Sequence, residues 1–373
     1  MVKVLLALDS FKGSMDAFSV CKTIAGELDD GYEVVILPMA DGGEGTVDAI
    51  VNARNGEYVV VDTVDHLGRM IKASYGLFEK NAVIEASSTC GLNLVAPRDR
   101  NIMVSNSYGL GQMVLSAIDR GVERFIIAIG GTGTNDGGYG LGLALGYRFL
   151  DANGNDLPTT PDALIKLEKI IPPSINFSVF DFTIACDVKN RLFGENGASF
   201  VYGAQKGGTK DQLDHLDACL KNLSRVIEKD LGINIADLEG SGAGGGLAAG
   251  FVAFCGGQLK SGYSIVAEAT DIESIIKDVD VVVTGEGKTD SQTLFGKLPF
   301  CVINSAKKYN KFSALVSGYI TDEGKCGMEK IGCDAFFPCV DNNTPLCEAI
   351  KNSRSNLINA SKKLNSWLNS LDI

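Results

Sequence analysis

Val4-Leu5-Leu6-Ala7-Leu8-Asp9-Ser10-Phe11-Lys12-Gly13-Ser14 is the stretch on which the fold turns. The apolar run has strand length and no polar alternation, which predicts a strand buried on both faces. A helical segment follows from about Asp16 to Leu28. A second strand, Glu33 to Leu37, then ends at Ala40-Asp41-Gly42-Gly43-Glu44-Gly45-Thr46. Strand, helix and strand in that order predict a parallel sheet. The same grammar returns late in the chain. Val279 to Thr284 reads as a strand ending at Gly285-Glu286-Gly287-Lys288-Thr289-Asp290, followed by a helix from Leu298 to Tyr309 and strands at Phe312 to Val316 and Ala335 to Val340. Leu346, Ile350, Leu357, Ile358, Leu364, Trp367 and Leu368 recur near helical spacing, which predicts one amphipathic C-terminal helix packed on the sheet.

The middle of the chain reads differently. Glu57 to Val64, Ile71 to Phe78 and Ala82 to Glu85 are short strands at hairpin spacing, more antiparallel than parallel. Helix Tyr108 to Arg120, strand Phe125 to Ile129, helix Tyr139 to Leu145 and strand Tyr147 to Leu150 follow, then strand Phe182 to Ala185 and helix Lys210 to Leu231. The expected architecture is therefore α/β. A parallel-sheet domain made of residues 1–64 and 280–373 is interrupted by a mixed α/β domain at 65–279.

The 373 residues are 45% apolar and 21% charged, a length that predicts about two domains. Acidic residues outnumber basic ones by 46 to 34, for a net charge of −12, and no long Lys/Arg run occurs. That argues against a nucleic-acid partner, which needs clustered cations on phosphates. The most apolar long stretch, Gly242 to Gly257, is too short and too rich in glycine to span a bilayer. Met1-Val2-Lys3 leads into an apolar run soon closed by Asp9, so no signal peptide is expected and a cytoplasmic location is. The ten cysteines are scattered without a CxxC pair, which favours reduced thiols over disulfides. With only His66 and His215, chemistry needing several histidine ligands is excluded, and no GxSxG elbow accompanies either.

Chemistry is concentrated at strand ends. In open parallel sheets ligands bind beyond the carboxyl ends of the strands. Asp9, Asp41, Glu44, Glu85, Asp136, Asp187, Glu286 and Asp290 all lie at or just after such ends. So many carboxylates suggest a cleft that takes Mg²⁺ or does acid/base work, although some of them can be helix caps. Gly240-Ser241-Gly242-Ala243-Gly244-Gly245-Gly246 formally matches GxGxxG. Its glycines either let backbone N–H groups approach phosphates or allow tight helix–strand packing. The acid that a dinucleotide site needs about 20 positions on is missing, which disfavours a nicotinamide dehydrogenase. Gly287-Lys288-Thr289 resembles a P-loop tail, but Val282 stands where Walker A requires glycine. Lys12, Lys206, Lys288 and Lys297 lie among these turns, where a lysine can neutralise phosphate or bind a carboxylate.

Taken together, Asp9-Ser10-Phe11-Lys12-Gly13-Ser14, Ala40 to Thr46, Ser107-Tyr108-Gly109, Thr134 to Gly138, Ala185 to Val188, Gln205-Lys206-Gly207, Gly242 to Gly246 and Thr284 to Gln292 resemble the bacterial glycerate 2-kinase family. The blocks run in order through nearly the whole chain. The resemblance implies a flavodoxin-like domain interrupted by a second α/β domain, and ATP- and Mg²⁺-dependent phosphorylation of D-glycerate at its 2-hydroxyl, with the 3-hydroxyl as the less favoured alternative. Arg191, Ala204, Lys288 and Thr132-Gly133 depart from the family's usual Pro, Pro, Arg and Ser-Ala, which leaves room for altered preference around Asn190 and Arg191.

Under that resemblance, phosphoryl transfer needs alignment, a cation on the phosphates and positive donors for the oxygens. Gly242, Gly244, Gly245 and Gly246 are the expected phosphate cradle. Asp187 is the candidate base or metal-linked carboxylate, with Lys12 and Lys288 neutralising charge. Asp41, Glu286 and Asp290 compete for Mg²⁺, while Asp9, Ser10, Asn190 and Arg191 are the expected glycerate contacts. A kinase of another small hydroxy acid, and a non-catalytic hydroxy-acid sensor, are the rival readings. A homo-oligomer is compatible with the sequence, which does not decide it.

Overall fold

Strand order is the decisive feature of the computed structural model, which describes residues 1–341 and 343–372. The chain divides into two units, residues 1–41 with 266–373, and residues 42–265. In the first, five strands pair in the order Ala335–Pro338, Phe312–Ser317, Val281–Gly285, Val2–Leu8, Tyr32–Ile36, all parallel. Numbered along this unit the order is 2-1-3-4-5, the flavodoxin-like arrangement, whose switch point lies between Val2–Leu8 and Val281–Gly285. The continuous apolar runs are explained by cover on both faces. Val4, Leu6 and Leu8 pack with Val20, Cys21 and Ile24 of helix Ala17–Ala25 and with Leu357, Ala360 and Leu364 of helix Ser353–Leu368. Leu315 packs on the opposite face with Ile303 and Met328.

The expected single C-terminal helix is two. Leu346–Lys351 and Ser353–Leu368 are separated at Asn352, whose φ of −103° and ψ of 15° are not helical. The apolar stripe has two destinations: Leu357, Ala360, Leu364 and Leu368 are buried, whereas Leu346–Lys351 buries none of its residues.

The second unit contains a six-stranded mixed sheet in the order Gln258–Lys260, Asp181–Ala185, Arg124–Ala128, Asn81–Glu85, Met70–Phe78, Glu57–Val64. The first four strands are parallel, and the last two pairings are antiparallel. Glu57–Val64, which the sequence reading assigned to the first domain, pairs along its whole length with Met70–Phe78, from Glu57 opposite Leu77 to Val64 opposite Met70. The units accordingly part after Asp41 and after Ile265, earlier than the boundaries near 65 and 279. The hairpin signal was legible, but which sheet it joined depended on pairing partners remote in sequence. No helix among the described residues is long and apolar enough to cross a membrane.

Candidate functional site

Beyond the carboxyl ends of Val2–Leu8, Val281–Gly285 and Phe312–Ser317, the first unit holds a cavity of about 310 Å³. Its charged lining is Asp9, Lys12, Asp41, Glu286, Lys288, Asp290 and Lys297. These residues come from three turns, two near the start of the chain and a third more than two hundred positions later. The parallel pairing of Leu8 with Gly285 brings the turns together.

Asp9 is 6% exposed and accepts a 2.6 Å hydrogen bond from the Ser10 N–H. Burial, and then the charge of Asp41, push its carboxyl up to about 7. The Lys12 ammonium reaches Asp41 at 3.4 Å and is held above its usual range mainly by that carboxylate. Glu286 is also buried, which raises its carboxyl, and its Oε1 accepts hydrogen bonds from the hydroxyls of Thr289 at 3.3 Å and Thr293 at 2.5 Å. Asp290 is committed differently. Lys288 lies 3.1 Å away and the Gln292 N–H donates to it at 2.9 Å. Partial burial works to raise the Asp290 carboxyl, but these bonds outweigh it and hold the group below the ordinary range.

No three His, Cys, Asp or Glu side chains among the described residues converge as a preformed metal cage. Magnesium does not require one, because it is usually bound through one or two carboxylates, waters and substrate phosphates. Asp41 and Glu286 offer hard oxygen donors of the right kind, whereas Asp290 is drawn off by Lys288.

The second unit contains the glycine turns. Gly244, Gly245 and Gly246 all have positive φ, at 64°, 74° and 89°. A Cβ on Gly245 would lie 2.0 Å from the Thr134 carbonyl oxygen, and one on Gly246 would lie 2.6 Å from Gly137 Cα. Close approach of the 134–137 backbone thus accounts for Gly245 and Gly246 without a ligand. Gly242 is likewise pressed against the Arg191 carbonyl, and its N–H donates to the Asn190 carbonyl at 2.9 Å.

Around the same turn lies a buried knot. The Lys206 ammonium, 3% exposed, donates to the Thr134 carbonyl at 2.6 Å, and burial pulls it down to about 8. Asp136, fully buried, accepts from the N–H and hydroxyl of Ser107 and from the N–H groups of Gly138 and Gly140. Glu85 similarly accepts the Val47 N–H at the start of helix Thr46–Arg54. These two strand-end acids serve helix starts.

Asp187 is exposed and accepts the Gly262 N–H at 3.0 Å, at the first residue of helix Gly262–Thr270. Arg191 lies on a hollow with Lys189, Asn190 and Phe193, its guanidinium 3.4 Å from Asp237. Asn190 accepts from the Tyr202 hydroxyl at 2.7 Å and donates to the Asn196 carbonyl at 2.9 Å.

The Glycerate kinase family model matches residues 4–369. The chain belongs to the glycerate kinase family. It is 38% identical to the glycerate 2-kinase of Escherichia coli K12, over 97% of each chain. It is 39% identical to the glycerate kinase of Halalkalibacterium halodurans, over 98% of this chain and 99% of that one. A crystal structure from Salmonella typhimurium LT2, provisionally assigned as glycerate kinase 2, superposes with a TM-score of 0.87 at 38% identity, covering 99% and 98% of the two chains. Family membership makes the lysine- and carboxylate-lined cavity the candidate place for phosphoryl chemistry.

Of the expected site residues, the fold gathers Asp9, Ser10, Lys12, Asp41, Glu286, Lys288 and Asp290 around one cavity. Sequence reasoning missed its apolar wall, contributed by Phe11, Tyr319, Val340, Leu346, Ala349 and Ile350. Isolated apolar residues in a helical stripe look like core, and nothing local marks them as pocket lining.

Proposed function

We propose that this chain transfers the γ-phosphoryl group of ATP to the 2-hydroxyl of D-glycerate, as a cytoplasmic enzyme. The substrate oxygen forms a bond to the γ-phosphorus, the bond from that phosphorus to the β,γ-bridging oxygen breaks, and ADP leaves as the hydroxyl proton is released. The observation that carries the reading is the cavity at the switch point, where lysines and buried carboxylates from three turns converge. Family membership, and the likeness to the glycerate 2-kinase of Escherichia coli, support the substrate and the position phosphorylated.

In this family member, Lys12, Lys288 and Lys297 place positive charge where phosphate oxygens carry negative charge. Asp41 and the second carboxylate oxygen of Glu286 would hold Mg²⁺, which when bound neutralises the β- and γ-phosphate oxygens. The Thr289 and Thr293 hydroxyls fix Glu286 before any ligand arrives. Asp9 and Ser10 lie beside these groups and orient the substrate hydroxyl. In the second unit, Asn190 and Arg191 are the candidate contacts of the glycerate carboxylate, and Asp187, whose carboxylate accepts the Gly262 N–H at the start of helix Gly262–Thr270, is the candidate base.

Coupled ADP release over a panel of small hydroxy acids tests the substrate. Phosphorus NMR of the product, or coupling to enolase without mutase, tests the position. Product that enolase accepts directly supports 2-phosphoglycerate, while product that enolase cannot use until mutase is added is 3-phosphoglycerate and overturns the position. Stronger turnover of another acid overturns the substrate, and binding without ADP release favours a sensor.

A further inference from the structure

Glycerate and phosphate groups are polar throughout, yet the cavity that holds the lysines and carboxylates has a second, apolar side. Val340, Leu346, Ala349 and Ile350 line it, and Ser353 and Asn356 lie with them on the first turns of the last helix. Leu346 is 76% exposed and Ile350 37% exposed, on a helix that buries none of its residues. Large apolar side chains left open beside a charged hollow call for a partner with matching chemistry. The Ser353 and Asn356 side chains have no hydrogen-bond partner among the described residues, although neither is fully exposed. A ligand that satisfies the whole lining is anionic at one end and, at the other, flat and apolar with a polar edge.

We infer that this wall is the nucleobase subsite: the base lies against Val340, Leu346, Ala349 and Ile350, and the Asn356 amide reads its edge. The inference rests on the proposed nucleotide dependence and deepens it by assigning the base to Val340 and residues 346–356. A carboxamide offers one donor and one acceptor side by side. This complements the acceptor and amino donor of adenine, as in the bidentate asparagine–adenine pair. Guanine presents a carbonyl where adenine presents the amino group, so the same amide favours ATP over GTP. The apolar wall contributes affinity, and the lysines hold the phosphates whatever the base. The break at Asn352 gives the device its form, because it frees Leu346 and Ile350 from the core stripe to which the sequence pattern assigned them.

The test uses the full chain and two variants, the double substitution Leu346→Ser with Ile350→Ser, and Asn356→Leu. Calorimetric titration with MgADP, and with magnesium tripolyphosphate as a base-free probe, is combined with KM for ATP, GTP and glycerate. The double variant is expected to bind MgADP at least tenfold more weakly while binding tripolyphosphate as the parent does. Asn356→Leu is expected to narrow the ATP-to-GTP preference about tenfold, as loss of a bidentate base contact implies. KM for glycerate and the melting temperature stay within error, since Leu346 and Ile350 are exposed and the Asn356 side chain makes no hydrogen bond among the described residues. Unchanged MgADP binding in both folded variants, equal losses for MgADP and tripolyphosphate, or no MgADP binding by the parent overturns the subsite. A parent that binds MgADP in a variant-sensitive way but phosphorylates no glycerate overturns the proposed reaction and leaves the subsite standing.

Discussion

Replacing Gly245 with alanine separates the two roles that a glycine turn can play. The residue sits at φ 74° and ψ 31°, a region where an alanine costs about 1–2 kcal/mol. The added Cβ would lie 2.0 Å from the Thr134 oxygen, 2.8 Å from its carbonyl carbon and 2.9 Å from Asn135 Cα, all backbone atoms. To restore contact distance the Thr134 carbonyl must retreat by roughly 1 Å or more, an overpacking that costs about 1–3 kcal/mol. That carbonyl is the acceptor for buried Lys206, and losing a charged hydrogen bond costs about 1.5–3 kcal/mol more. The total is on the order of 4 kcal/mol or above, which for a unit of this size lowers the melting temperature by about 10 °C. Gly154→Ala is the control, because Gly154 has φ 82° and no neighbour within 4 Å of a new Cβ, so only the conformational cost applies. Calorimetric scanning of both variants, with transitions followed separately, gives the difference. If Gly245→Ala melts within a few degrees of Gly154→Ala while MgADP affinity collapses, the packing argument is refuted and the glycines are a phosphate cradle.

Other consequences follow from the same groups. Burial lowers the Lys206 ammonium to about 8 from the usual 10.5, so between those values the unfolded chain binds more protons and this residue's contribution to stability grows with pH. The stability of the parent relative to Lys206→Met should therefore increase from pH 7 to pH 9.5 in paired urea titrations, and a constant gap would contradict the assignment. Asp9→Asn should cut kcat at least a hundredfold, on the order expected for a group that positions the reacting hydroxyl. The same substitution should raise the melting temperature at pH 8 in the presence of chelator, with the gain shrinking towards pH 5. Because burial pushes the Asp9 carboxyl up to about 7, stability present below its unfolded value is lost as pH rises through 7. A variant that melts lower at pH 8 would count against the buried charge. Arg191→Met should raise KM for glycerate about tenfold or more and leave KM for ATP unchanged, since loss of a charged hydrogen bond costs about 1.5–3 kcal/mol. Equal changes in both constants would remove Arg191 from glycerate recognition.

The sequence by itself determined what its local patterns encode. Unbroken apolar runs such as Val4 to Leu8 specify buried parallel strands, because such strands are covered on both faces. Turn chemistry placed Asp9, Lys12, Asp41, Glu286 and Lys288 at their carboxyl ends, where the structure has them. The quoted motifs carried the family, since backbone-restricted turns tolerate few residue types. Decisions that depend on remote pairing were settled only in three dimensions. Glu57–Val64 joins the second sheet through its ladder with Met70–Phe78, which no property of either strand alone specifies. Gly245 carries a glycine signal that reads as a phosphate cradle, and only the fold reveals the Thr134 backbone against it as a packing reason for glycine. Leu346 and Ile350 shared a helical period with Leu357 and Leu364, yet one nonhelical residue, Asn352, sends them to an open cavity instead of the core. Periodicity reports which faces a segment can bury, and tertiary contact decides which of those faces find a partner.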